Sequence, residues 1–232
     1  MRLILFDIDG TLIHSDRIGR AAMARALTDV FGHCGAVDTV SFGGKTDWGL
    51  VHELMQAEGW SEVEVGARLP DFYARMAAAG QEMFTATNIR PCPGVLPLLA
   101  AVAARDNAVP ALLTGNIQAT APLKLAAAGI DPGLFRVGAY GSDSAVRADL
   151  FAIALARAEA ELGLQIAPRD VIIVGDTPGD IACARAGGGR VIAVATGPYP
   201  IATLQAHRPD YLFGDLTVTD AVLRALFDDQ QV

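Results

Sequence analysis

Two aspartates, Asp7 and Asp9, stand where the apolar run Leu3-Ile4-Leu5-Phe6 gives way to Gly10-Thr11-Leu12. Four apolar residues in a row read as a strand buried on both faces of a parallel sheet. Ligands of such sheets gather at the carboxyl ends of the strands, which is where this pair sits. Alternation along an extended chain points Asp7 and Asp9 the same way with Ile8 turned back, and Gly10 lets the backbone turn sharply. At about 4 Å and an effective dielectric near 20, two negative charges repel by roughly 4 kcal/mol. The pair therefore calls for a cation, a shared proton or both, and a divalent metal is the expected remedy.

The same signature returns late in the chain, where Val171-Ile172-Ile173-Val174 runs into Gly175-Asp176-Thr177-Pro178-Gly179-Asp180. Two acid-bearing strand ends suggest that Asp7, Asp9, Asp176 and Asp180 meet around a hard, oxygen-seeking ion such as Mg2+. Between them, Ala111-Leu112-Leu113 leads into Thr114-Gly115-Asn116, which reads as a phosphate cradle. A Thr hydroxyl, a Gly amide that can approach closely and an Asn amide all donate to phosphoryl oxygens, and the following helix adds its positive end.

These three segments, Asp7-Ile8-Asp9-Gly10-Thr11-Leu12, Thr114-Gly115-Asn116 and Gly175-Asp176-Thr177-Pro178-Gly179-Asp180, resemble in order and spacing the motifs of the haloacid dehalogenase-like hydrolase superfamily, over essentially the whole chain. The resemblance implies a phosphatase of the phosphoglycolate phosphatase-like type, dependent on Mg2+. It would hydrolyse a small phosphorylated metabolite through an aspartyl-phosphate on Asp7. Asp9 would be general acid and then general base, and would offer the metal its backbone carbonyl. Asp7 and Asp176 would bind the ion directly, and Asp180 directly or through water. Thr114 would act in catalysis and join Gly10, Gly115 and Asn116 in holding phosphate. A cation upstream of the last motif would steady the nucleophile; no Lys stands there, and Arg147 is the best placed, able to bind phosphate bidentately. Lys124 lies too early and reads as a solvated or capping residue. Dehalogenating relatives lack an acid two residues after the nucleophile, so Asp9 favours phosphoryl chemistry. A sugar phosphomutase of the same fold and a non-catalytic phosphometabolite-binding protein are the alternatives, and Asp9 argues against the latter.

The elements that would position these residues alternate. After Pro91-Cys92-Pro93-Gly94, helices are expected near 94–106, 117–128, 149–162, 178–187 and 217–227. Strands are expected near 108–113, 134–139, 170–175, 191–194 and 211–213. This rhythm predicts an α/β, Rossmann-like three-layer core with a parallel sheet, which the strand at 3–6 joins. Residues 16–31, 47–58 and 61–79 show helical spacing without a convincing strand between them. Residues 14–90 are therefore expected to form an inserted α-helical cap, with 1–13 and 91–232 as a discontinuous core. In the resembling family such a cap closes over the site and selects the substrate. Its most site-like loop is Ser41-Phe42-Gly43-Gly44-Lys45-Thr46-Asp47: Lys45 is a candidate substrate-binding residue, and the competing reading is a plain turn with Thr46 or Asp47 capping a helix. Gly187-Gly188-Gly189 reads as a helix end at a left-handed residue.

Composition limits the partners. With 232 residues, half of them apolar, the chain can bury a large core. A formal charge of −8 argues against nucleic-acid and anionic-membrane partners. Cys34, Cys92 and Cys183 lack the spacing of a zinc site or a disulfide framework, and the four histidines show no ligand pattern. No apolar run is long enough for a membrane span or a signal peptide, so a cytoplasmic location is expected. Oligomeric state is left open.

Overall fold

The computed structural model describes residues 1–227; positions 228–232 of the expected core lie outside the described residues. The chain runs β1 (Arg2–Phe6), β2 (Ile13–His14), α1 (Ile18–Phe31), α2 (Asp47–Ala57), α3 (Glu62–Met83), β3 (Arg90–Pro91), α4 (Val95–Ala103), β4 (Ala108–Leu113) and α5 (Ala121–Ala127). It continues through β5 (Gly138–Ala139), α6 (Asp149–Leu162), β6 (Val171–Gly175), α7 (Pro178–Gly187), β7 (Arg190–Val194), α8 (Ile201–Ala206), β8 (Tyr211–Phe213) and α9 (Thr219–Phe227).

Six strands form one parallel sheet in the order β5-β4-β1-β6-β7-β8, the expected α/β Rossmann-like arrangement. Leu3 through Phe6 have no solvent exposure, because alternate side chains feed two different layers. Ile4 and Phe6 pack with Ile172, Val174 and residues of α4 and α9 on one face. Leu3 and Leu5 pack with Ile173, Val191 and residues of α6 and α7 on the other. Each such side chain contributes roughly 1.5–3 kcal/mol by leaving water, so the strand carrying the acids is fixed at the centre of the molecule. Register completes the placement: Phe6 lies beside Val174 of β6 and Leu112 of β4, which brings Asp7, Asp176 and Thr114 to one edge of the sheet.

The segment between β1 and α4 is helical as expected, with one departure. Ile13–His14 and Arg90–Pro91 pair as an antiparallel ribbon, Ile13 opposite Pro91 and His14 opposite Arg90. Strands of two residues are too short for alternation to reveal. Above it, Met23 and Leu27 of α1 join Phe72 and Met76 of α3 in the same apolar cluster, and α3 opens with a reciprocal Ser61–Glu64 capping box.

Two other expectations shift. The strand near 134–139 contracts to two residues, because the Asp131 carboxylate accepts the Gly133 N–H and starts a 3-10 turn at Pro132–Leu134. The helix near 117–128 begins only at Ala121, with Pro122 in its first turn and residues 118–120 forming a turn before it. Gly188, at φ 75°, caps α7 as the glycine run suggests. Among the described residues, no helix is long and apolar enough to cross a membrane.

Candidate active site

Asp7 continues β1, its N–H donating to the Val174 carbonyl at 3.0 Å. Its carboxylate is buried beside the Arg147 guanidinium, with Nη2 3.3 Å from Asp7 Oδ2 and 2.5 Å from Asp180 Oδ1. The other Asp180 oxygen accepts from the Thr177 N–H at 3.0 Å and hydroxyl at 2.7 Å. Thr177 is thus the N-cap of α7, and Asp180 closes a reciprocal capping box. Capping and site geometry are therefore the same interaction: the bonds that start the helix aim Asp180 at Arg147.

Asp176 is held differently. Its Oδ1 accepts the Thr11 hydroxyl at 3.0 Å, whereas Oδ2 is buried with no hydrogen-bond partner among the described residues. Two glycines keep that oxygen clear. A Cβ on Gly197 would fall 1.7 Å from Asp176 Oδ2, and one on Gly10 2.4 Å from it. The Thr196 hydroxyl ties the two glycine loops together by donating to the Gly10 carbonyl at 2.5 Å. Oxygens of Asp7, Asp176 and Asp180 lie within 4.8 Å of one another.

Three buried carboxylates, an orphan oxygen and a cradle free of side chains suit a hard cation. Electrostatics agrees. Burial pushes Asp7 up to about 6 against the pull of Arg147, with Asp180 and Asp9 adding to the rise. Burial, with Asp7 and Asp180 beside it, pushes Asp176 well above the carboxylate range. Arg147 moves the opposite way: burial opposes its charge, but Asp180 and Asp7 outweigh burial and push it up. One guanidinium leaves three acids under-neutralised, which a divalent ion would correct.

The Asp9 side chain is not in this trio. Its Oδ1 accepts the Ser15 hydroxyl at 2.7 Å, and its Oδ2 accepts Asn116 Nδ2 at 2.8 Å and Lys124 Nζ at 2.6 Å. Burial pushes Asp9 up, but Lys124 first, then Asn116 and Ser15, outweigh it and hold the carboxyl below its ordinary range. Asn116 Nδ2 also donates to Thr114 Oγ1 at 2.8 Å, and Asn116 Oδ1 accepts from Lys124 at 2.6 Å. The expectation that Lys124 is solvated or capping is corrected: it is 4% exposed, drawn inward by two oxygen partners.

The 41–47 loop caps a helix and borders the cavity. The Thr46 hydroxyl caps α2, accepting from the Gly49 N–H at 3.1 Å and donating to the Ala145 carbonyl at 3.0 Å. Lys45 lines the cavity, while its ammonium pairs with Glu53 at 2.5 Å. Asp47 is buried and bridges to the phosphate loop: its N–H donates to the Gly115 carbonyl at 2.7 Å, and its Oδ2 accepts the Ile117 N–H at 3.0 Å. Gly115 is required there, since a Cβ would meet the Lys45 carbonyl at 2.1 Å. Burial pushes Asp47 up to about 6, against Lys124.

The cavity over these groups measures about 500 Å3 and reaches from Asp7, Asp176 and Thr114 to Arg17 and Arg20 at the start of α1 and Arg90 of β3. Sequence reading missed Lys124, Asp47 and Gly197. The rarity of lysine was the only signal for the first, Asp47 was visible only as a capping candidate, and nothing marked Gly197.

The haloacid dehalogenase-like hydrolase family model matches residues 1–188. Among solved structures, a hydrolase from Pseudomonas syringae superposes with a TM-score of 0.71 at 20% identity, covering 97% of this chain and 99% of that one. A structure described as a predicted phosphoglycolate phosphatase from Haemophilus somnus 129PT superposes at 0.67 with 25% identity, covering 96% and 98%. A predicted phosphatase from Clostridium acetobutylicum superposes at 0.70 with 17% identity over 96% and 98%. Comparison with curated proteins gives no match.

Proposed function

The chain belongs to the haloacid dehalogenase-like hydrolases and is a hydrolase of phosphate esters; from that premise we propose that it is a Mg2+-dependent phosphatase for a small phosphorylated metabolite, working through an aspartyl-phosphate. The observation that carries this reading is the buried Asp7 beside Arg147, next to an Asp176 oxygen with no hydrogen-bond partner among the described residues. Asp7, Asp176 and Asp180 would hold the ion, with the Asp9 backbone carbonyl, and Mg2+ when bound supplies positive charge to the phosphoryl oxygens.

The rest is the work of the chain's own groups. The ester's phosphoryl oxygens are held by Thr114, the Gly115 and Asn116 amides, Lys124 and Arg147. An Asp7 carboxylate oxygen attacks phosphorus and the bond to the leaving alcohol oxygen breaks. Asp9 gives that oxygen a proton. A phosphoryl group bound at Asn116 and Lys124 competes with Asp9 for both donors, which raises Asp9's affinity for the proton it passes on. Asp9, now a carboxylate, takes a proton from water; the water oxygen bonds to phosphorus, the bond to Asp7 breaks, and inorganic phosphate leaves. Residues 14–90 act in this reading as a cap that excludes bulk water and sorts substrates, and a cytoplasmic setting, tested by cell fractionation, belongs to the same proposal.

The test is phosphate release from a panel of phosphorylated metabolites with and without Mg2+, phosphoglycolate included because of the 25%-identical neighbour. Free phosphate from wild type and none from Asp7→Asn is the expected result. Isomerised sugar phosphate without free phosphate would instead make the chain a mutase, and tight binding without turnover would make it a binding protein.

A further inference from the structure

The phosphate loop is held from outside its own strand. Asp47, the first residue of α2, donates its N–H to the Gly115 carbonyl at 2.7 Å and accepts the Ile117 N–H on Oδ2 at 3.0 Å. These bonds fall on the two peptide planes that flank Asn116, because the Gly115 carbonyl shares a plane with the Asn116 N–H and the Ile117 N–H shares one with the Asn116 carbonyl. One residue engages both planes. The Asn116 side chain projects from between them and donates to Thr114 Oγ1 and Asp9 Oδ2, each at 2.8 Å, so its aim follows from how the planes are held.

A neighbouring glycine leaves this joint open. A Cβ on Gly141 would lie 1.8 Å from the Gly115 oxygen and 2.9 Å from the Asp47 nitrogen. With only hydrogen there, Gly141 donates to the Asn116 carbonyl at 2.7 Å and accepts the Trp48 N–H at 3.2 Å, so a second residue of α2 joins the same cluster of bonds. Asp47 is buried, and the low local dielectric strengthens its bond to the Ile117 N–H. We infer that Asp47 is a positioning residue for the phosphoryl site: it aligns the donors of Thr114-Gly115-Asn116, and through it phosphate binding and the docking of α2 favour each other. Such coupling is reciprocal. The inference rests on the phosphatase reading and adds to it a residue of the helical segment that acts through the loop rather than on the reacting atoms.

The test uses the full chain with Mg2+ and inorganic phosphate as the probe, its Kd measured by calorimetry. Asp47→Ala removes the acceptor for the Ile117 N–H and should weaken phosphate binding about tenfold or more, whereas Asp47→Asn, which keeps an acceptor, should stay near wild type. Ser61→Ala breaks the capping box of α3 and should lower Tm without moving the Kd. A Kd unchanged in Asp47→Ala, or weakened equally in Asp47→Asn or Ser61→Ala, would overturn the inference. Hydrogen exchange tests the coupling in wild type, whether or not Asp47→Ala folds. Saturating phosphate should slow amide exchange across α2, and exchange there indifferent to phosphate would overturn the coupling. The phosphatase reading stands or falls separately, on release of phosphate from esters by wild type. A chain that binds phosphate but hydrolyses no ester would lose that reading, and the Kd ratio would still decide the role of Asp47.

Discussion

Lys124 Nζ lies 2.6 Å from Asp9 Oδ2 and the same distance from Asn116 Oδ1, so one buried ammonium ties the second acid of the first motif to the phosphate loop. Asp9 is held ionised by a residue 115 positions away in sequence.

Replacing Lys124 with Met keeps the volume and removes the charge. The Asp9 carboxyl then rises, since burial remains and its main counter-charge is gone. The limb of the kcat/KM profile that reports Asp9 should move to higher pH, with a loss of about tenfold or more at neutral pH as the phosphoryl group loses a donor. Initial rates across pH 4–9 check this, and a profile overlaying the wild type would refute it.

Asp9→Asn should separate substrates by leaving group. Alkyl phosphates, whose alkoxide needs a proton, should lose about 10²- to 10⁴-fold in kcat, and aryl phosphates markedly less. Equal losses on both classes would deny Asp9 the acid role.

Gly197→Ala drives a methyl group toward Asp176 Oδ2, while its φ lies outside the left-handed region, so the effect is one of space rather than backbone strain. Mg2+ at about 100 times its Kd should stabilise wild type by about 2.7 kcal/mol, an upward shift of several degrees in Tm. Most of that shift should vanish in Gly197→Ala. A full Mg2+ response in the variant would show that the cradle does not serve the ion.

The Asp47 carboxyl is raised to about 6 from an ordinary 3.8. The folded chain therefore holds this proton more tightly than the unfolded chain between those values, and the contribution falls as pH rises through the window. By pH 7 ionised, buried Asp47 costs about 3 kcal/mol relative to acid conditions. Asn at 47 keeps an acceptor for the Ile117 N–H without titrating. The Tm of Asp47→Asn minus that of wild type should thus grow from pH 4 to pH 7, and a constant difference would contradict the shift.

Much of this was legible before any coordinates. β1 and β6 announce themselves as apolar runs because both their faces are buried, and the acids follow directly, so Asp7, Asp176 and Thr114 could be assigned to one sheet edge. Lys124 could not be read, because its helix shows a short Ala-rich pattern and its partner sits on another strand end. Asp47 looks like any residue in a helix's first turn, and its bond to Ile117 N–H exists only once the helical segment packs on the sheet. Gly197 carries no chemistry of its own; it matters by what it lacks, and only the path of the loop after β7 reveals that.

The two-residue ribbon of Ile13–His14 against Arg90–Pro91 has a further consequence. It clasps the outgoing and returning chain side by side, so the segment between them is tied to the core here as well as through Asp47 at Gly115 and Ile117. Residues could be added or removed at the exposed turns of that segment with little loop-closure cost, whereas Ser15 and Asp47 within it bond to Asp9 and to the phosphate loop. The helical segment and the phosphate loop are thereby joined, and a change that shifts Asp47 reaches Gly115 and Ile117 directly.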